Sequence, residues 1–137
     1  MTHHRLRPSD RRIVLFTGVG FLFLWVDLAV GHGSAGLKHP GMWLPLLLLP
    51  FATVVSSFAA FRAVPFLHRL FRFVCYGAVL LGLIGFGFHT NRLVHEVKGL
   101  VQWGVLMRFM RYPPLLAPLA ISGLGILGLL VDLEPGG

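Results

Sequence analysis

The sequence has one cysteine, Cys75, and only five acidic residues, Asp10, Asp27, Glu96, Asp132 and Glu134. A single cysteine excludes an intramolecular disulfide and a thiolate zinc site built from this chain alone. Its place inside an apolar run assigns it a small, buried, apolar role. Also missing are G-x-S-x-G, H-E-x-x-H and C-x-x-C, and any glycine-rich phosphate loop ahead of a helix. Hydrolase, thiol-redox and nucleotide chemistry therefore have no residues to stand on. Charged residues make up 12% of the chain, whereas 55% is apolar and the mean hydropathy is +0.78. A soluble domain of this size would leave too much greasy surface in water. Lipid is the solvent that fits, and the bilayer is the first partner implied.

What is present is four long apolar stretches, at about residues 13–31, 42–61, 73–90 and 112–131. Crossing a hydrocarbon core of ~30 Å takes roughly 20 helical residues, and each stretch meets or nearly meets that length. The expected fold is all-α: one integral membrane domain over residues 1–137, a four-transmembrane-helix bundle with a short interfacial amphipathic helix before the fourth span. Arg5, Arg7, Arg11 and Arg12 ahead of the first run resemble the start of a signal peptide. The run is longer than the usual ~7–15 residues, however, and GHGSAGLKHP after it is a poor cleavage site, so the expectation is a retained anchor.

Twelve Lys and Arg against the five acids give a pI near 11.2. In a soluble protein that balance points to nucleic acid. Here the basic residues gather at the ends of spans, where they meet lipid phosphates, and no basic stripe interleaved with aromatics lies outside them, so nucleic acid is not an expected partner. Seven basic residues fall on the N-terminal side, including Arg62, Arg69 and Arg72 in the second loop, against five on the other: Lys38, Arg92, Lys98, Arg108 and Arg111. The excess favours cytoplasmic termini, in what we expect to be the bacterial inner membrane.

The first span is expected to end at Gly31, Gly33 and Gly36. The second opens near Trp43, an interfacial anchor; Pro45 falls in its first turn, and Pro50 should kink it, which lipid tolerates when neighbours satisfy the freed carbonyl. Gly77, Gly82, Gly85 and Gly87 in the third span and Ala117, Ala120, Gly123, Gly125 and Gly128 in the fourth predict close packing between these two. Between them, in RLVHEVKGLVQWGVLMRFMR, apolar Leu93, Val97, Leu100 and Val101 recur at helical spacing, with Trp103 at headgroup level.

Asp27 is the sharpest single residue, a carboxylate within an apolar span, about one turn from its expected end. At a helix centre such a group costs on the order of 2.5–3.5 kcal/mol on insertion scales, less near the interface, so it needs a partner or water. His32 and His39 follow it across the expected end of the first span, while the third span closes on His89, Arg92, His95 and Glu96. Four imidazoles and two carboxylates thus come to one end of the bundle. Imidazole is the commonest metal ligand and a usual axial ligand of haem.

Several readings of this cluster stand open. In one, the histidines are interfacial side chains bonded to carbonyls and water, with Asp27 paired to Arg92 or a histidine. In another, Asp27, His32, His39 and His89 ligate copper or zinc, with Met42, Met107 and Met110 nearby to suit Cu(I), and His95, Glu96 and Arg92 as supporting partners. In a third, His32 and His89 hold a b-type haem between helices. A proton or small-solute path would run on water, Thr53, Ser56, Ser57 and Ser122, since mid-span ionisable groups are absent. The function expected is an accessory or anchor subunit beside other membrane subunits in a larger, redox-type assembly. The alternative is an independent metalloenzyme or transporter, and the sequence leaves open whether the chain is an enzyme.

Overall fold

The computed structural model describes residues 6–35, 41, 43–62, 64–97 and 116–131. Within them the chain is all-helical, with no strand: α1 spans Pro8–Ala35, α2 Trp43–Phe61, α3 Pro65–Val97 and α4 Leu116–Leu129. Pro8 and Pro65 each open a helix, where a missing N–H costs nothing and φ is already helical. Asp10 lies in the first turn of α1, facing the positive end of the helix dipole.

Three helical segments, Pro8–Gly31, Trp43–Phe61 and Pro65–His95, are long and apolar enough to cross a membrane. α4 is apolar but has 14 described residues, about 21 Å at ~1.5 Å per residue, short of a ~30 Å core. Residues 112–115 of the expected fourth span lie outside the described residues. α2 begins and ends within one residue of its expected bounds.

α1 and α3 differ from expectation. α1 runs on through Gly31 and Gly33 to Ala35, because helix glycines that would fray in water are held where the backbone must satisfy its own hydrogen bonds. α3 starts at Pro65, so His68, Arg69 and Arg72, expected in a loop, occupy its first turns. No proline interrupts the stretch after it, and side chains as long as those of Arg69 and Arg72 let a charged head reach water while the stem follows the helix. At its other end α3 continues to Val97, taking in the first six residues expected in a separate interfacial helix. The remainder of that element, with Trp103, lies outside the described residues.

The helices pack in a cycle, α1 against α2, α2 against α3, α3 against α4 and α4 against α1. Neighbours run antiparallel: Trp25 of α1 meets Leu46 near the start of α2, and Arg11 meets Phe61 at its end. Inside the cycle lie Val14, Phe21, Leu49, Ala52, Val55, Phe71, Val74, Ala78 and Ile121, all buried. On the outside Phe23, Phe73 and Leu130 are 72%, 74% and 75% exposed. An apolar exterior of this kind is what lipid as solvent produces and what water selects against.

The expected tight approach of the third and fourth helices is present. A Cβ on Gly82 would run into the Pro118 carbonyl and Ser122, and one on Gly125 would stand 2.7 Å from the Cys75 carbonyl. Only glycine lets the two backbones come this near. Ser122 Oγ donates to the Val79 carbonyl across the same seam at 3.0 Å. Without a hydrophobic drive between helices in lipid, such contacts and hydrogen bonds supply the cohesion.

Candidate functional site at the Asp27 and His89 end

Asp27 lies on the exposed side of α1, with Phe23, Val26 and Val30, opposite the buried stripe of Val14, Thr17 and Phe21. His32 lies within α1, where a position past the helix end was expected, and Asp27 is two turns from the helix end where one was expected. Five residues apart on one continuous helix, the two backbone positions stand about 140° apart around the axis. They therefore share an end of α1 and not a face. His39 and the methionines Met42, Met107 and Met110 lie outside the described residues.

His89 sits differently. It falls 7, 11, 14 and 18 residues beyond Gly82, Ala78, Cys75 and Phe71, which places it on the inward stripe of α3, and it is half-buried there. Next to it, Thr90 Oγ1 is buried without a hydrogen-bond partner among the described residues. Arg92 and His95 are exposed one turn further on, and Glu96 lies in the last turn of α3. The helices that carry Asp27 and His89 do not form one of the four packing seams; α1 and α3 are diagonal in the cycle.

Among the described residues, no three of His, Cys, Asp and Glu converge to hold a metal ion. Nor do the hydroxyls suggested for a proton path stand idle. Thr53 donates to the Leu49 carbonyl at 3.0 Å, Ser56 to Ala52 at 2.7 Å and Ser57 to Thr53 at 2.9 Å, each one turn back on α2. With Ser122 on Val79, each hydroxyl hydrogen has a carbonyl to serve.

Two features escaped the sequence. The first is the Trp25 indole, which donates to the Leu46 carbonyl at 3.0 Å and joins α1 to α2 beside the Asp27 end; Pro50, four residues after Leu46, was its signal. The second is a cavity of about 650 Å³ at the opposite end, between the start of α1 and the end of α2, lined by Arg11, Arg12, Leu15, Ala60 and Phe61 among others.

Fold and site together define a helical chain compatible with an integral membrane protein, with an ionisable residue exposed on one apolar helix and a histidine on the inward face of another. Comparison with known proteins finds no matching family model, no matching curated protein and no matching solved structure.

Proposed function

We propose that this chain is an accessory or anchor subunit of a larger membrane assembly. In this reading it is inserted as four spans with both termini cytoplasmic, and the Asp27 end lies at the outer face of the bacterial inner membrane. The observation that carries it is the exposure of Asp27 on a helix whose mean hydropathy over an 18-residue window is 2.3. A carboxylate that the described residues leave uncovered within the bilayer raises the cost of insertion unless another group covers it. A basic or hydrogen-bonding side chain on a neighbouring membrane helix is the partner such a group needs.

The chain's economy supports the same role. With most of its residues in helices and no catalytic motif, its mass is scaffold. His89, with His32, His39 and the flanking Arg92, His95 and Glu96, belongs in this reading to the contact end, where copper, zinc or a haem would be held by imidazoles.

The test is native electrophoresis of tagged chain solubilised from its own membranes in a mild detergent, beside Asp27→Leu. The expected wild type migrates in a complex well above the 15.1 kDa chain in its micelle, and the substitution releases it. Wild type and variant both migrating as the lone chain would overturn the proposal. Elemental analysis and an absorption spectrum of the same preparation decide the cofactor question: copper, zinc or a Soret band lost on His89→Ala establishes a centre, and a preparation free of all three leaves the scaffold alone.

A further inference from the structure

From the cavity at the far end of the molecule, we propose that the start of α1 and the end of α2 form a seat for the phosphate of an anionic phospholipid, held by Arg11 and Arg12. The inference rests on the chain being a membrane protein but not on its having partner subunits. The site lies about 24 Å along α1 from Asp27, counting ~1.5 Å per residue.

The lining divides by chemistry. Leu6, Pro8, Leu15, Ala59 and Ala60 give apolar walls, and Arg11 and Arg12 contribute two guanidinium groups. The Arg11 guanidinium lies 4.4 Å from the centroid of the Phe61 ring. That stacking holds the fork in place without using its N–H donors, which remain available for an anion. Asp10, the neighbouring acid, is not among the lining residues and falls on a different side of α1. Leu15 and Ala59 lie deeper along the two helices than the arginines, so the walls continue toward the membrane interior.

A cationic mouth over an apolar groove between two spanning helices matches an amphiphile whose phosphate sits at the headgroup level and whose chains run inward. A zwitterionic lipid offers the same phosphate with its charge cancelled. Free phosphate offers the charge without the chains. The paired arginines favour net negative charge, and the six apolar lining residues, Phe61 among them, favour the lipid over the free ion.

The experiment is native mass spectrometry of the full chain in detergent, supplied with phosphatidylglycerol, with phosphatidylcholine or with inorganic phosphate. Retention of phosphatidylglycerol above phosphatidylcholine is expected. Arg11→Gln/Arg12→Gln should weaken it by roughly fivefold per arginine, and Arg12→Gln alone, at an exposed position, by one such step. Arg69→Gln/Arg72→Gln, at the same end on α3 but outside the cavity, should leave it unchanged. Equal losses in the two double variants, equal retention of both lipids, or displacement by inorganic phosphate would each overturn the seat. Extraction of the chain from membranes by alkaline carbonate would instead overturn the membrane reading itself.

Discussion

The indole Nε1 of Trp25 donates to the carbonyl of Leu46 at 3.0 Å, and Leu46 is the residue whose carbonyl Pro50 leaves without its intrahelical donor. Proline lies inside α2 because a neighbouring helix supplies the missing N–H. In lipid no water can take that place, so the bond converts a helix defect into a link between α1 and α2.

That relationship predicts a coupling. Trp25→Phe removes the donor and leaves a carbonyl exposed to apolar surroundings, at a cost of about 1–2 kcal/mol. Pro50→Ala restores the helix's own N–H, so the loss of the indole should then cost less by ~1 kcal/mol. A double-mutant cycle, measured by denaturation in mixed micelles, reads the difference directly. Trp25→Phe costing the same in both backgrounds would show that only the packing of the ring matters.

The seam between α3 and α4 predicts a ranking. Gly82→Ala places a methyl against the Pro118 carbonyl and Ser122, where backbone must shift, and should destabilise by about 1–3 kcal/mol. Ser122→Ala removes one hydrogen bond to Val79 and should cost only ~0.6 kcal/mol. Gly87→Ala meets nothing within 4 Å among the described residues and should be neutral. Thermal denaturation in one detergent orders the three; Gly82→Ala as mild as Gly87→Ala would mean the helices are not in close contact there.

How far the sequence could be read follows from the same physics. α2 was legible in full, since Trp43 marks one interface and the charged Arg62 the other. The close approach of α3 and α4 was legible from small residues alone. The end of α1 was not, because glycine is a stop signal in water and is tolerated in a membrane helix, so Gly31 and Gly33 misplaced His32. Arg69 and Arg72 misled in the opposite sense, for a charged head at the interface does not end a helix. The candidate site was legible only as an end of the molecule. Span order brings Asp27 and His89 to the same end, yet their position around each axis, outward for one and inward for the other, depends on which helices become neighbours. A diagonal α1 and α3 cannot be deduced from apolar runs.

Cys75 offers a check on the core. Its side chain is fully buried beside Gly128 and Phe71 at the contact of α3 with α4. The folded protein should resist maleimide in mild detergent and react once denatured in SDS. Gly82→Ala, by loosening the seam, should speed the labelling under mild conditions. Rapid labelling of the wild type would place the thiol outside the core.

The last prediction concerns Asp27 in the chain by itself. Because the carboxylate lies on the exposed side of α1, replacing it removes a penalty without taking away a contact from the core. Asp27→Leu should make insertion of the first helix more favourable, by up to ~3 kcal/mol if the group is deep and less near the interface, as read by a translocon insertion assay. Asp27→Asn should give a smaller gain of the same sign. The isolated chain's resistance to denaturation should be unchanged or improved in both. A loss of stability in Asp27→Leu would show that the carboxylate serves its own chain, and the argument for a partner would then lose its ground. If instead the isolated variant is sturdier while the native assembly falls apart, the natural residue is retained at a cost to the subunit, which is the signature of a contact made with another protein.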